Sequence, residues 1–401
     1  MRRDVVVTGL GAVTPIGATA DDSWDALLAG KSGAGPITRF DPDEADCRSK
    51  IACEATLPEE TPIGSDKVGR YAELGITAAG EAIADAGFDP NDPGWEAERV
   101  GTSVATSIGG LPEIEDTVGQ RPSSKFTLTY LSNLTSSQIS ILFDAAGPNR
   151  AASTACAAGA HAVGDAMREI ESGRADVMIS GGAESILSPY GVRGFDAMRA
   201  LSTRNDEPER ASRPFDVDRD GFVIGEGGAA LVLESREHAL ERGVEPIATV
   251  EGTARSADSM HPTRPPEDAD GLIRCIERGL TDAAVAPTAV DHVNAHATST
   301  PRGDEHEATA LNQIFDSVPP VTGTKGLTGH TLGASGAIES VFTVKTLQEQ
   351  TIPPTANYES PDPDCDVPVV DETRSATVDV ALNIAAGFGG TNGVVVFGAA
   401  R

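Results

Sequence analysis

The chain has 401 residues, of which 39% are hydrophobic, and it carries 61 acidic against 31 basic residues, for a formal net charge of −30. This length can bury a large core in two domains or in one duplicated unit. Because the acidic residues are spread along the whole chain, the charge argues against nucleic acid or an anionic membrane surface as a partner. No apolar run reaches membrane-spanning length.

Composition also indicates the setting in which the protein works. The acidic excess and the scarcity of lysine favour a protein adapted to concentrated salt, with an ordinary acidic cytosolic protein as the alternative. The cysteines are scattered without a CxxC pair, so the sequence indicates neither a disulfide framework nor a metal site. Asp4 interrupts the signal-like start of the chain, and we therefore expect a cytoplasmic location.

Strand and helix patterns alternate through the first half of the chain. Asp21 or Asp22 is the expected cap of the first helix. Three stretches, 40–65, 108–132 and 189–220, are expected to be irregular, and the length of the last indicates a functional role. The expected strands are 4–10, 100–106, 151–155, 176–181 and 228–234, and the expected helices are 21–29, 67–86, 133–143, one from Cys156 that Gly173 ends, and 236–243.

The pattern starts again in the second half. This predicts a duplicated α/β unit with parallel strands and central helices, divided into domains 1–245 and 246–401. If the halves pack by pseudo-symmetry, the small-residue elbow of each half faces one pocket. The expected strands are 247–254, 290–295, 320–324, 378–383 and 394–397, and the expected helices are 269–286, 303–315 and 332–349.

A cysteine occupies the strand-to-helix elbow of the first half. Around Cys156 the sequence reads A-A-S-T-A-C-A-A-G-A-H, and these small side chains leave space for a substrate. A position at the start of a helix favours thiolate over thiol and supplies free backbone N–H groups beside the sulfur. A buried structural cysteine is the alternative interpretation.

Three further segments place polar groups among small residues. They are N-A-H-A-T-S-T-P-R-G-D with His296, T-K-G-L-T-G-H with Lys325 and His330, and the loop G-F-G-G-T-N with Phe388. Singly, each has an ordinary explanation, such as a structural histidine or a tight turn, and the glycine loop lacks a dinucleotide or phosphate-binding spacing. Together with Cys156 they supply a nucleophile, two imidazoles, a lysine and N–H donors, which suits acyl transfer through a thioester.

These four motifs, in this order, resemble the β-ketoacyl-acyl-carrier-protein synthases, most closely the type II elongating enzymes. The resemblance runs from V-V-V-T-G-L-G-A-V-T-P-I-G near the start to Gly398, and it includes G-G-A-E (181–184), A-L-S-T-R-N-D (200–206), A-S-R-P-F-D (211–216) and D-G-F-V-I-G-E-G (220–227). It implies a thiolase-type fold, a duplicated five-layer α-β-α-β-α architecture, and a homodimer.

The resemblance also implies a mechanism. Cys156 takes an acyl chain from a carrier thioester, malonyl thioester loses carbon dioxide, and the resulting carbanion attacks the acyl-enzyme. His296 and His330 stabilise the enolate oxygen, and the N–H groups of Cys156 and Phe388 form an oxyanion hole. We expect neutral imidazole at His330, because a lysine and a helix N-terminus lie near it.

Further roles follow from the same resemblance. Phe388 gates the acyl pocket, and Lys325 lies near His330. The phosphopantetheine of a carrier protein or of coenzyme A bears the acyl groups, and no other cofactor is implied. The residues expected to order the site are Lys325, Glu339, Asp304, Gly389 and Gly390, and those expected to contact the pantetheine arm are Thr298, Thr300 and Thr263.

The sequence departs from the family pattern at a few positions. Ala297 stands where glycine is usual, Ala157-Ala158 follows the cysteine in place of a hydroxyl residue, and 384–386 reads I-A-A in place of N-S-F. These changes concern acyl-chain selectivity, and the last should enlarge or reshape the pocket beside Phe388. The carrier-docking stretch 65–70 is only partly basic, so a coenzyme A thioester is an open alternative donor.

Two other functions compete with the decarboxylating synthase. A thiolase-like condensation needs a second cysteine near the C-terminus, where this chain has Phe388. A catalytically silent partner subunit lacks the nucleophile, whereas Cys156, His296, Lys325 and His330 are all present. The sequence therefore favours an active 3-oxoacyl synthase and leaves its acyl chain and pathway open.

Overall fold

The computed structural model describes residues 2–63 and 67–400. Its strands form one ten-stranded sheet and two small sheets of two strands each. The strands are β1 (Val5–Val13), β2 (Ala34–Pro36), β3 (Ile51–Cys53), β4 (Val100–Ala105), β5 (Asn149–Arg150), β6 (Val177–Glu184), β7 (Gly227–Ser235), β8 (Ala248–Ala257), β9 (His292–Asn294), β10 (Val321–Thr322), β11 (Thr351–Ile352), β12 (Arg374–Ser375), β13 (Val380–Gly387) and β14 (Thr391–Ala399).

One pairing pattern occurs twice in the large sheet. The first half has the order β5-β4-β6-β7-β1, and the second has β10-β9-β13-β14-β8. In each half the first two pairings of this order are parallel and the last two antiparallel. A short pairing of Val6 and Val7 with β8 joins the halves. The predicted duplication is confirmed. The expectation of parallel strands throughout is wrong, because the last two pairings of each half-sheet are antiparallel.

Helices occupy corresponding places in the two halves. The crossover from β5 to β6 contains α6, and the crossover from β10 to β13 contains α12. The helices are α1 (Ala20–Leu28), α2 (Arg70–Asp85), α3 (Leu111–Thr117), α4 (Thr127–Tyr130), α5 (Leu134–Leu142), α6 (Ala158–Glu171), α7 (Pro189–Ala197), α8 (Arg236–Glu241), α9 (Asp270–Ala283), α10 (Pro301–Ile314), α11 (Lys325–Thr328) and α12 (Ser335–Glu349).

The helices and half-sheets form five layers, and three buried apolar clusters fill the space between them. The central cluster packs α6 and α12 between the two half-sheets. The helices α2 and α5 cover the outer face of the first half-sheet, and α9 and α10 cover the outer face of the second. The five-layer thiolase-type architecture is therefore confirmed.

The two central helices meet at positions without side chains. A Cβ atom added to Gly159 would lie 2.6 Å from the backbone nitrogen of Ala337, and one added to Gly336 would lie 2.6 Å from that of Ala160. These contacts are reciprocal, as a two-fold relation between the halves requires. Any larger residue at either glycine would push α6 and α12 apart.

The turns that lead into α6 and α12 also correspond. A 3₁₀ turn, Ala155–Ala157, precedes α6, and the turn Leu332–Ala334 precedes α12. Ala155 and Leu332 both adopt left-handed backbone, with φ of 50° and 49°. The predicted strand 151–155 is absent here: only β5 forms, at an exposed edge, and the chain then bends into the left-handed turn.

Some stretches expected to be irregular contain short elements. Segment 40–65 includes β3, with residues 64 and 65 outside the described part of the chain, and segment 108–132 includes α3 and α4. Segment 189–220 begins with α7, whose cap Ser188 accepts a hydrogen bond from Gly191 N–H. The sequence Ser-Pro is a start signal for such a helix.

The cap of the first helix differs from the expectation. Thr19 accepts a hydrogen bond from the N–H of Asp22, so Asp21 and Asp22 lie in the first turn instead. No helix within 2–63 and 67–400 combines the length and apolarity needed to cross a membrane. The domain boundary at 245/246 stays a prediction.

Candidate active site

The four polar segments meet at one cavity of about 480 Å³. Cys156 comes from the 3₁₀ turn before α6, His296 from the loop after β9, His330 from the loop after α11, and Phe388 from the β13–β14 turn. Thr263, Thr298 and Thr300 line the same cavity toward its mouth. The structure therefore brings together residues that are far apart in the chain, as the pseudo-symmetric packing of the halves predicts.

Cys156 lies at the base of the cavity with only 8% of its surface exposed. Burial raises the pKa of its thiol to about 12, although Lys325 and hydrogen bonds from the N–H groups of Phe388 and Cys156 itself lower it. The expectation of a thiolate in the free protein is therefore wrong, because desolvation outweighs the nearby positive charge. The backbone N–H groups of Phe388 and Cys156 both lie near the sulfur, which is the arrangement that an oxyanion hole requires.

The two histidines stand perpendicular to each other beside the cysteine. Their ring centroids are 5.3 Å apart with an interplanar angle of 86°. Burial, reinforced by the Lys325 charge, lowers the pKa of both His296 and His330 well below the usual value. Both imidazoles are neutral at physiological pH, which agrees with the expectation for His330.

The His330 ring is held from two sides. Its Nδ1 lies 3.0 Å from Ser335 Oγ, and Phe222 packs against the ring at a centroid distance of 5.2 Å and an angle of 84°. When Ser335 donates to Nδ1, the single proton of the neutral ring resides on Nε2. The ring then presents an N–H donor on its other edge.

Lys325 is buried and contacts two groups directly. Its Nζ donates to Glu339 and, at 2.5 Å, to the backbone carbonyl of His296. Lys325 therefore acts on His330 through its charge, whereas its hydrogen bond positions the His296 loop. Burial raises the pKa of Glu339 to about 7 despite the adjacent lysine.

Glu307 was missed by the sequence analysis, although it holds the His296 loop. Its carboxylate accepts hydrogen bonds from the N–H groups of His296 at 2.6 Å and Ala297 at 2.7 Å. Burial raises the pKa of Glu307 to about 7. Ala297 has a left-handed backbone with φ of 33°, which explains why glycine suits this position.

Glu184, the last residue of the G-G-A-E motif, was also given no role. The buried carboxylate accepts from Thr106 Oγ1 at 2.9 Å, Ser107 N–H at 2.7 Å and Gly333 N–H at 3.2 Å. It thus ties the end of β6 to the elbow of the second half. The signal for it was an acidic residue at the end of a strand with otherwise small or apolar side chains.

The residues expected to order the site form turns. Gly389 and Gly390 need left-handed backbone, with φ of 88° and 70°, and Gly389 N–H donates to Pro262 O at 2.6 Å. Asp304 accepts from the N–H groups of Phe215 at 2.8 Å and Ser299 at 3.1 Å. Burial raises the pKa of Asp304 to about 6.

Two hydroxyl groups face each other at the cavity mouth. Thr298 Oγ1 and Thr300 Oγ1 lie 3.0 Å apart, and Thr300 also caps α10. Ala386, which stands where the family has an aromatic residue, lines the cavity next to Phe388. The Phe388 ring is 36% exposed and packs against Phe195 at a centroid distance of 6.2 Å.

Replacing Ala297 by glycine should cost much less stability than replacing its buried neighbour Ala295. Both changes delete a buried methyl group and increase the freedom of the unfolded chain, but only Ala297→Gly releases left-handed strain. The expected difference is about 1–2 kcal/mol in the free energy of unfolding, measured from denaturant midpoints. Equal destabilisation by Ala297→Gly and Ala295→Gly would show that no strain is stored at residue 297.

Comparison with known proteins identifies the family. The model of the β-ketoacyl synthase N-terminal domain matches residues 2–239, and the model of the C-terminal domain matches residues 247–359. The chain is 43% identical over 410 residues to 3-oxoacyl-[acyl-carrier-protein] synthase 2 of Coxiella burnetii, which covers 98% of each chain. It is 42% identical over 411 residues to the enzyme of the same name from Synechocystis, with 99% and 98% covered.

Solved structures agree with this assignment. The ketosynthase in a complex with its type II polyketide acyl-carrier protein, bound to the hexaketide, superimposes with a TM-score of 0.93 at 32% identity, and 100% of both chains is covered. These comparisons give no support to a silent subunit or a thiolase-like enzyme. The chain belongs to the β-ketoacyl synthase family, the acyltransferases that extend acyl thioesters by decarboxylating condensation in fatty-acid or polyketide synthesis.

Proposed function

We propose that Cys156 carries the growing acyl chain and that His296 and His330 drive decarboxylation of the malonyl thioester. The observation that carries this assignment is the convergence of two backbone N–H groups on the Cys156 sulfur, in a cavity where two neutral imidazoles stand beside it. This arrangement supplies one oxyanion site at the nucleophile and N–H donors for a second one.

The first step transfers the acyl group to the enzyme. The sulfur of Cys156 attacks the carbonyl carbon of the donor thioester, and its proton passes through solvent to the departing pantetheine sulfur. The oxygen of the tetrahedral intermediate accepts hydrogen bonds from the N–H groups of Cys156 and Phe388. The bond between the carbonyl carbon and the donor sulfur then breaks, and the pantetheine thiol leaves with a proton.

The second step forms the carbon–carbon bond. The malonyl thioester loses its carboxylate as carbon dioxide, and the electron pair moves into an enolate whose oxygen accepts from His296 and His330. The enolate carbon attacks the acyl-enzyme carbonyl, and the bond from that carbon to the Cys156 sulfur breaks to leave a 3-oxoacyl thioester. The departing thiolate takes up one proton from solvent, which restores the Cys156 thiol. Neutral imidazoles suit this role because they donate without adding net charge.

The remaining site residues position these groups. Lys325 and Glu339 hold the His296 loop, Asp304 and the glycines Gly389 and Gly390 shape the turns, and Phe388 gates the acyl pocket. Thr298, Thr300 and Thr263 contact the pantetheine arm. The acyl and malonyl groups are carried as thioesters on phosphopantetheine, which belongs to a carrier protein or to coenzyme A. The proposed reaction needs no other cofactor.

We further propose that the chain works as a homodimer, in the cytoplasm and in concentrated salt. The nucleophilic thiol suits a reducing compartment, and the charge of −30 suits a screened environment. Large exposed apolar side chains gather in segment 108–142, whose last helix, α5, packs beside the edge strand β5, and this supports an interface there. These side chains are Ile108, Ile114, Val118, Leu128, Leu131, Ile141 and Leu142.

Sedimentation equilibrium tests the dimer and its salt requirement together. In concentrated potassium chloride the mass should be about twice the 41.3 kDa of one chain, and dilution of the salt should reduce it. Ile141→Asp should yield monomers, because it places a charge in the apolar surface, whereas Leu240→Asp on the exposed side of α8 should not. A wild-type monomer in concentrated salt would contradict the proposed assembly.

His330→Ala should separate the two chemical steps. The variant should still form the acyl adduct on Cys156, because the adduct needs only the thiol and the N–H groups. Release of labelled carbon dioxide from malonyl thioester should fall by about 10²-fold or more. Intact mass and isotope release measure the two steps, and Cys156→Ser is the control without an adduct. Equal loss of both steps contradicts the role given to His330.

Alkylation of free Cys156 should become faster with pH. Because burial raises the thiol pKa to about 12, the reactive thiolate fraction increases about tenfold per pH unit through the neutral and mildly alkaline range. The rate of iodoacetamide addition at Cys156, followed by peptide mass, should therefore show no plateau below pH ~9. A plateau near neutral pH would mean that the thiolate forms without substrate.

A further inference from the structure

Three unpaired arginines surround the mouth of the cavity. Arg199, Arg264 and Arg302 all line it, and all three are exposed. Their side chains have no hydrogen bond or ion pair within the described ranges. Many other arginines of this acidic chain are held by carboxylates, among them Arg99, Arg168, Arg213, Arg219 and Arg242.

The three arginines come from separate elements. Arg199 follows α7, Arg302 lies in the first turn of α10, and Arg264 follows Thr263 on the loop after β8. A cation in the first turn of a helix is unfavourable, because the N-terminal end of the helix is itself positive. A bound anion would relieve this repulsion and would be attracted by all three guanidinium groups.

Two aspartates line the cavity together with this cluster, and neither forms an ion pair with it. Asp258 lines the cavity, but its carboxylate accepts a hydrogen bond from Asn392 Nδ2 at 2.6 Å. Asp220 also lines the cavity and accepts from Thr203 N–H at 3.3 Å. Both acidic residues are therefore engaged with protein groups, whereas the arginines are available to a ligand.

The carrier-docking stretch expected from the sequence supplies little positive charge. Residues 65 and 66 lie outside the described part of the chain. Arg70 is paired with the buried carboxylate of Glu226, at 2.8 Å from Nε and 2.7 Å from Nη2. Lys67 is exposed but does not line the cavity. The available positive charge thus lies at the cavity mouth itself.

We propose that Arg199, Arg264 and Arg302 bind the phosphate of the phosphopantetheine arm. This inference rests on the proposed function, which places the thioester at Cys156 and the arm along Thr298, Thr300 and Thr263. The phosphate at the other end of the arm then reaches the cavity mouth. Contact at hydrogen-bond distance survives concentrated salt, which screens long-range attraction between whole proteins.

The test compares one thioester without the phosphate with three that carry it, and only acyl-pantetheine and acyl-phosphopantetheine differ by the phosphate alone. The rate of Cys156 acylation is measured in concentrated potassium chloride with acyl-pantetheine, acyl-phosphopantetheine, acyl-coenzyme A and acyl-carrier protein. The variant combines Arg199→Gln, Arg264→Gln and Arg302→Gln. The matched control is Arg278→Gln, an exposed arginine of α9 that does not line the cavity.

The wild type should prefer acyl-phosphopantetheine to acyl-pantetheine by about tenfold or more in the acylation rate over KM. The triple variant should lose this preference, and its rate with acyl-pantetheine should be unchanged. The variant should also load the coenzyme A and carrier-protein donors more slowly than the wild type, because both arms end in a phosphate ester, a diphosphate in coenzyme A and a phosphodiester in the carrier protein. Arg278→Gln should behave as the wild type.

Other results would overturn the proposal. An equal loss with and without the phosphate would assign the arginines a structural role, and a loss restricted to the carrier-protein donor would make them a docking surface for that protein. A wild type that loads every thioester without preference would reject the phosphate site alone. A wild type that loads none would reject the proposed function as well.

Discussion

The close contact between α6 and α12 determines where the chemistry takes place. At Gly159 and Gly336 the two backbones are so close that a Cβ atom would not fit between them. This contact fixes the starts of both helices, and Cys156 lies at one of them. The loops that carry His296 and His330 come after strands β9 and β10 of the second half-sheet. Their positions relative to the sulfur therefore depend on the packing of α6 against α12. A small change between the helices would be felt directly at the nucleophile.

Burial is the common cause of the site's electrostatic state. It keeps the Cys156 thiol and both imidazoles neutral, and it raises the pKa of Glu307 and Glu339 to about 7. Lys325 is the cation at the centre of this group, and its contacts hold both Glu339 and the His296 backbone. In the free enzyme the nucleophile and both imidazoles therefore carry no charge. The N–H donors are already in place at the positions where negative charge develops during the reaction.

Much of the fold and the site could be predicted from local sequence patterns. The repeat of strand and helix, and the small residues around Cys156 and Lys325, were sufficient for the duplicated architecture and for one shared pocket. The role of Glu307 was not predictable, because a carboxylate within a helix gives no sign in the sequence that backbone N–H groups will surround it. For Glu184 the one sign was its position at the end of a strand of small or apolar residues. Left-handed backbone at Ala155 and Ala297 was equally hidden, since alanine rarely adopts it.

The pKa of Cys156 shows why a helix start was insufficient to predict its ionisation. The sequence indicated a helix N-terminus and a lysine, and both favour a thiolate. How far the sulfur is removed from water depends on layers contributed by distant segments, and desolvation proved to be the larger effect. The antiparallel strands were missed for a similar reason, because apolar runs do not reveal the direction of a neighbour.

The two elbows of this chain have the same backbone turn but have diverged in what covers them. In the first, Gly387 packs against the turn, and a Cβ there would lie 3.0 Å from the backbone nitrogen of Cys156, so a larger residue would press on the backbone of the nucleophile. In the second, Gly333 stands where Cys156 stands in the first, and its N–H donates a hydrogen bond to the carboxylate of Glu184. The two turns therefore have different tasks: the first presents a reactive sulfur to the cavity, and the second joins the two halves through the carboxylate of Glu184.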